Sequence, residues 1–253
     1  MRETDISYNI RAIGRAIDVI NVIAQSSEPL KLIEISARSN LNKTTTLRIL
    51  ANLQQAGWVY RLEGDVYSLG FKLLAISQNV ASSLSSYKAV RDAIVRVSRD
   101  THETVLFSIW DGENAVCIDK ATGTFYIGII QQINEVTPIN AGATGFATLM
   151  TMEEKDARRI LQTSSFRSYT LKTPVTVESL YNKYDLMQKN KYIVTSGEKD
   201  EGIVGVATGI YLSYEKQYGS ISIVAPENRV DEERLEFFIK RLLQEKQYLD
   251  SII

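Results

Sequence analysis

Two groups of residues in this chain have the types and spacing to do chemistry. The first is Lys43, Thr44, Thr45 and Arg48, continued by Asn52 and Gln55. At 3.6 residues per turn they share one side of a helix. They are groups that bond phosphate oxygens and base edges, arginine being able to clasp guanine O6 and N7. The second is a pair of polar loops, residues 140–147 and 195–202, the first of which sets Gly142 and Gly145 among small side chains ahead of Thr148, Leu149 and Met150. Free N–H groups at such a helix start, with the positive end of its dipole, seat a carboxylate. Each feature also has a plainer reading: a solvated helix face, and a tight turn that needs glycine.

Catalysis fits the composition poorly. The chain owns one histidine, His102, and one cysteine, Cys117, whereas a zinc site takes three or four His, Cys or carboxylate ligands. A Ser-His-Asp hydrolase would have to use His102 as its base, and no G-x-S-x-G elbow accompanies it. No phosphate-binding P-loop and no G-x-G-x-x-G run occurs. Glu198, Asp200 and Glu201 read as a solvated acidic turn, and Cys117, between Val116 and Ile118, as a buried strand residue with no disulfide partner. The expectation is a protein that binds rather than one that catalyses, with no cofactor and no metal.

The elements that position the first group are legible locally. Lys31 to Ser39 forms a helix, Ser39 to Asn42 a turn plugged by Leu41, and Lys43 to Ala56 a second helix capped by Asn42 and stopped by Gly57. Leu47, Leu50 and Leu53 are expected on its buried stripe. Trp58 to Leu62 and Val66 to Leu69 then form a hairpin about Glu63-Gly64-Asp65. Helix, turn, helix and two-stranded wing make a winged helix-turn-helix, so double-stranded DNA is the expected partner, with Arg61 and Tyr67 of the wing within reach of the backbone or minor groove. An earlier amphipathic helix places Ile10, Ile13, Ile17, Ile20, Val22, Ile23 and Ala24 on one stripe, read as core. Arg11 and Arg15 lie off it at i, i+4.

At 253 residues the chain can hold two cores, and a 44% hydrophobic content is ordinary for a globular fold. Net charge is −1, weak for a nucleic-acid binder, but residues through Ala75 carry nine cations against seven anions. That balance suits a symmetric dimer better than bulk electrostatic coating, since two copies double the phosphate contacts. No apolar run approaches the ~20 residues of a membrane span, and the first residues lack signal-peptide order, so a cytoplasmic location is expected.

Beyond the wing, residues 71–86 read as a linker helix frayed at its serines, and Tyr87 to Asp100 as a further helix. Strands follow at Thr104–Trp110, Ala115–Lys120 and Phe125–Gln132. Helices then run Glu153–Leu161 and Val177–Asn190, strands Tyr192–Thr195, Ile203–Tyr211 and Gly219–Ala225, and a last helix Asp231–Leu249. Strands, helices, then strands describe an α+β domain with an antiparallel sheet. The expected division is residues 1–70, 71–86 and 87–253.

The run Arg11 to Ile20, the helix Lys43 to Leu50 and the wing end Tyr67-Ser68-Leu69-Gly70 resemble the amino-terminal domain of IclR-type bacterial transcriptional regulators, in order and spacing across nearly eighty residues. The resemblance implies a winged helix-turn-helix domain, a linker helix and a GAF-like effector-binding domain, assembled as a homodimer or a tetramer built as a dimer of dimers and controlling a catabolic operon. Its DNA-facing positions are expected at Arg11, Arg15, Lys43, Thr44, Thr45, Arg48, Arg61 and Tyr67. Carried across by motif, the positions facing a small organic acid are Ala143, Thr144, Gly145, Thr195, Gly205 and Ser222. The chain departs from the family pattern in lacking a cysteine or serine near Ala143, in having Thr208-Gly209 in place of an alanine-proline pair, and in having Val224 where a second polar residue is common. Fewer side-chain donors point to a larger, partly apolar acid. The competing class is an interaction protein whose helix-turn-helix only dimerises and whose second domain is a vestigial sensor.

Overall fold

The computed structural model describes residues 10–125 and 131–253, and the chain divides into two compact units, Met1–Ser83 and Leu84–Ile253. The first unit contains α1 (Arg11–Ala24), β1 (Leu30–Lys31), α2 (Leu32–Arg38), α3 (Lys43–Gln55), β2 (Val59–Leu62), β3 (Val66–Leu69) and α4 (Phe71–Ser83). Asn42 caps α3 as its sequence predicts, its side-chain oxygen accepting the Thr45 N–H at 2.8 Å. Gly57 ends the helix at φ +75°. Val19, Ile23, Leu30, Ile35, Leu50, Val59 and Tyr67 close the core, with Leu41 packed against it from the turn.

Three expectations fail in this unit. The α1 stripe is core only in its second half: Val19 and Ile23 are buried, while Ile10, Ile13 and Ile17 are more than half exposed. On α3 the buried seam is Thr46 and Leu50 with Leu53 half-covered, and Leu47 is 47% exposed. A polar residue sits in that seam at little cost because the Thr46 hydroxyl donates to the Asn42 carbonyl at 3.0 Å. Tyr67 is 3% exposed and belongs to the core. The unforeseen strand Leu30–Lys31 pairs with β3, giving the order β1-β3-β2 and moving Tyr67 from an edge to the centre of the sheet, with Leu30 on one side and Arg61 on the other.

The second unit opens with α5 (Ser85–Thr101), separated from α4 by Leu84, then β4 (Thr104–Trp110), β5 (Ala115–Ala121), β6 (Val136–Thr137), α6 (Ala143–Ala147), α7 (Glu154–Thr163), α8 (Val177–Asn190), β7 (Ile193–Ser196), β8 (Ile203–Leu212), β9 (Gln217–Pro226) and α9 (Glu232–Asp250). The six strands form one antiparallel sheet in the order β6-β5-β4-β9-β8-β7. Alternation on β8 sends Val204, Val206 and Ile210 to a core with α5 and α9, and Ala207 to a second core with α6, α7 and α8. The α+β arrangement expected from the sequence is present. The expected strand Phe125–Gln132 falls largely on 126–130, outside the described residues.

Candidate DNA-binding surface and ligand cavity

The outward side of α3 presents Lys43, Thr44 and Arg48, with Thr45 half-buried. Arg15 of α1 faces it: Ala12, Arg15 and Ala16 line a groove of about 460 Å³ with Thr45, Arg48, Ile49, Asn52 and Leu53. Thus Arg15, Thr45 and Arg48 come together, and Lys43 and Thr44 lie at the start of the same helix. None of Arg11, Arg15, Lys43 and Arg48 makes an ion pair among the described residues. Exposed, unpaired cations keep their full charge for a polyanion. Asn52 is spent locally, its amide donating to the Arg48 carbonyl at 2.7 Å. Arg61 is exposed but tied to Asp65 at 2.6 Å across the wing turn, and Tyr67 is removed from the surface altogether.

In the second unit the two polar loops meet. Ala143, Thr144, Thr195 and Gly205 line a partly open cavity of about 90 Å³, with Gln131, Glu135, Thr137, Glu198, Lys199, Asp200, Ile203 and Val224. The two remaining expected positions lie behind its wall. Gly145 packs so closely on the Pro138 carbonyl that a Cβ would stand 2.2 Å from that oxygen, which is why glycine is needed there. Ser222 is fully buried, and its hydroxyl and that of Thr144 are hydrogen-bonded at 2.8 Å. Ser220 donates to the Thr144 carbonyl at 2.9 Å, so two serines of β9 brace the threonine that faces the cavity.

The electrostatics of this cavity differ from the sequence reading. Glu198 does not lie in a solvated turn. Its side chain is 15% exposed, its carboxylate pairs with the ammonium of Lys183 on α8, and the Gly142 N–H donates to it at 3.1 Å. Lys183 is 12% exposed and sits 4.6 Å from the centre of the Phe146 ring. Burial pushes its ammonium below the ordinary lysine range, against the pull of Glu198. Lys199 pairs with Glu135 at 2.6 Å. The carboxylate seat foreseen at the start of α6 is therefore filled by a carboxylate of the protein itself.

The other titratable candidates have no catalytic setting. His102 ends α5 in the left-handed region at φ +63°, with its Nδ1 3.0 Å from the Thr124 hydroxyl. Cys117 is buried, and burial together with the charge of Glu135 raises its thiol to about 11. The described residues contain no group of three or more His, Cys, Asp or Glu able to hold a metal ion. No helix among them is long and apolar enough to cross a membrane.

Comparison with known proteins agrees with both halves of this geometry. The pattern described as the IclR helix-turn-helix domain matches residues 12–63, and that described as the bacterial transcriptional regulator IclR C-terminal domain matches residues 78–250. The chain belongs to the IclR family. It is 25% identical to the HTH-type transcriptional regulator XynR of Escherichia coli over 236 residues, covering 93% of this chain and 94% of that one. Among solved structures, an IclR transcriptional regulator from Alicyclobacillus acidocaldarius superposes with a TM-score of 0.88 at 22% identity, covering 96% and 99% of the two chains. An IclR homologue from Microbacterium hydrocarbonoxydans, complexed with 4-hydroxybenzoate, has a TM-score of 0.79 at 15% identity, covering 95% and 99%. The protein is thus a DNA-binding transcriptional regulator of the IclR family, and its relatives are regulators rather than enzymes.

Residue-level reading missed the participants whose partners are distant in sequence. Lys183 lies mid-helix, 15 residues before Glu198, and nothing in its neighbourhood marks it. Glu135 and Lys199 pair over 64 residues. The one local signal was the adjacency of Glu198 and Lys199 to the strand end at Thr195, in a loop already singled out.

Proposed function

We propose that this IclR-family regulator binds a roughly palindromic operator as a homodimer, or as a dimer of dimers, and that a small organic acid in the second unit tunes that binding to control a catabolic operon in the cytoplasm. The observation that carries the reading is the unpaired cationic and hydroxyl face of α3, where Thr45 and Arg48 share a groove with Arg15 and Lys43 and Thr44 stand exposed at the helix start. Two such helices on half-sites one turn of DNA apart require a two-fold partner. The apolar residues left exposed on α1 and α4, Ile10, Ile13 and Ile17 with Phe71, Leu74 and Val80, are what supports pairing through those helices. The α4 helix then serves as the linker.

The effector seat is the cavity at Ala143, Thr144, Thr195 and Gly205, with Gly145 and Ser222 shaping its wall. Its volume of about 90 Å³ is well below the roughly 300–1,000 Å³ of drug-sized ligand sites, which favours a small acid over the larger one expected from the sequence. A structural relative that holds a hydroxylated aromatic acid supports the ligand class. Effector binding changes the packing of the sensing units and so the spacing of the recognition helices; coupling of about 1–3 kcal/mol changes operator affinity about 5- to 150-fold. Fluorescence titration of a labelled operator fragment tests the reading. Sequence-selective binding that weakens with salt is expected, and binding indifferent to both overturns it.

A further inference from the structure

The ion pair beside the cavity has a consequence for how an acid can enter. Glu198 is the carboxylate seated on Gly142, and it is also the counter-charge of the buried Lys183. Its backbone is pinned: the Thr170 hydroxyl donates to the Gly197 carbonyl at 2.6 Å, and Thr173 donates to the carbonyl of Glu198 itself. Its side chain is the free part. The cavity that remains is small, about 90 Å³ against the roughly 300–1,000 Å³ of drug-sized sites. A larger acid gains room where a wall residue gives way, and the N–H at its seat is one that Glu198 already holds.

We infer that Glu198 is a built-in competitor for the effector seat, and that an acidic effector binds by exchanging its carboxylate for that of Glu198 on Gly142 and Lys183. This rests on the sensor reading above and adds how the site is regulated. The exchange is charge-neutral inside the protein. If Glu198 simply left, Lys183 would become a buried, unpaired cation, which destabilises the fold. An incoming carboxylate removes that cost while the Glu198 carboxylate rotates into water. Because the Glu198 backbone is fixed, the exchange is a side-chain rotation. Glu198 also competes at an effective concentration on the order of millimolar or higher, which lowers the affinity of the unaltered protein for every monocarboxylate alike.

The test is chemical rescue with acetate, on the full chain. In Glu198→Ala the Gly142 N–H and Lys183 are left without a carboxylate. Thermal unfolding is followed in sodium acetate, sodium chloride of equal ionic strength, and acetamide. Acetate is expected to raise the Tm of Glu198→Ala above the chloride control, with an affinity about tenfold tighter than the unaltered protein shows. Acetamide is expected to have no such effect, and the additional change Lys183→Met to abolish the rescue. Equal acetate responses in Glu198→Ala and the unaltered protein overturn the proposal, as does rescue by acetamide as strong as by acetate. Should Glu198→Ala not fold, Glu198→Gln carries the same comparison, because its amide leaves Lys183 without a counter-charge; absence of an acetate shift there overturns the proposal too. Operator titration of the unaltered protein separates the two readings. Rescue with operator binding that no acid alters supports the seat and removes the sensor. Acid-responsive operator binding without rescue removes the seat and leaves the sensor.

Discussion

In the first unit Arg11, Arg15, Lys43 and Arg48 meet no acid among the described residues, whereas in the second Arg96, Arg241 and Lys183 are folded onto Glu245 and Glu198. The same residue types thus serve opposite ends. A cation held in water costs the fold nothing and remains available to a phosphate backbone, while a cation taken into the protein must have its partner in place before the fold is stable. Mutations should accordingly separate: loss of binding with stability kept on one side, loss of stability on the other.

The largest effect is expected at Glu245. Its carboxylate, 6% exposed, receives Arg96 at 2.7 Å and Arg241 at 2.6 Å, and Arg241 also reaches Asp100 at 2.7 Å. Burial alone would push the carboxyl up; hydrogen bonds from Arg96 and Arg241 outweigh it and hold the group below the ordinary glutamate range. Glu245→Ala leaves Arg96 without its carboxylate and Arg241 with Asp100 alone, and should cost about 3–5 kcal/mol in urea unfolding of the second unit. The sign with pH follows from the lowered folded-state value. The stabilisation is complete above the unfolded glutamate pKa and is lost as pH falls through the folded one, so the unaltered protein should lose stability in acid where Glu245→Gln is flatter. A cost under 1 kcal/mol would mean that the network is as dispensable as an exposed pair.

On the other side, Arg48→Ala should weaken operator binding by about 1–3 kcal/mol and leave the urea midpoint within error. A change that lowers affinity equally for all sequences would assign Arg48 to a phosphate instead of a base. Unchanged affinity would place the DNA elsewhere on the unit.

This contrast also accounts for what the sequence could show. Asn42, Gly57 and the outward Lys43, Thr44 and Arg48 were legible because caps, stops and helix faces are set within a few residues of themselves. The longer strands and helices of the second unit were legible for the same reason, whereas the two-residue β6 was missed and α6 lies on Ala143–Ala147 itself instead of on Thr148, Leu149 and Met150 after it. Leu47 was misassigned, and the buried Thr46 passed over, because a helix of mixed composition does not say which of two neighbouring stripes meets the core. Tyr67 was misassigned because Leu30–Lys31 is too short to announce itself as a strand, and it is that strand which buries the tyrosine. Glu198 was misjudged for a stronger version of the same reason: its partner Lys183 lies on α8, 15 residues earlier with β7 between them in the chain, and pairing at that separation is a property of the fold.

Asn42 offers an intermediate test, since it caps the proposed binding helix and yet acts through stability. Removing the cap in Asn42→Ala should cost about 0.5–2 kcal/mol in the first unit, because one orphan N–H of α3 loses its acceptor. Operator affinity should fall by less than in Arg48→Ala, since the cations remain and only the order of their helix start is reduced. Hydrogen exchange at Thr45 and Thr46 reads the fraying directly; protection unchanged from the unaltered protein would show that the cap is not what holds the first turn.

The smallest expected effect is at the wing, where the two regimes meet on one exposed pair. Arg61 donates to Asp65 at 3.1 and 2.6 Å, and both side chains are largely in water, so the pair itself contributes little to stability. Asp65 occupies the left-handed region at φ +58°, which asparagine also tolerates, so Asp65→Asn removes the charge without straining the turn. Stability should scarcely change. Freed of its carboxylate, Arg61 becomes like Arg48 in having no acid to leave, and the wing turn loses an anion. Operator affinity should rise a few-fold at low salt, with the salt slope steeper by about 1, as for one added phosphate contact. A rise that persists undiminished at high salt would point to a changed wing conformation. No rise at all would mean that Arg61 meets no phosphate, leaving α3 and the arginines of α1 to carry the electrostatic part of binding.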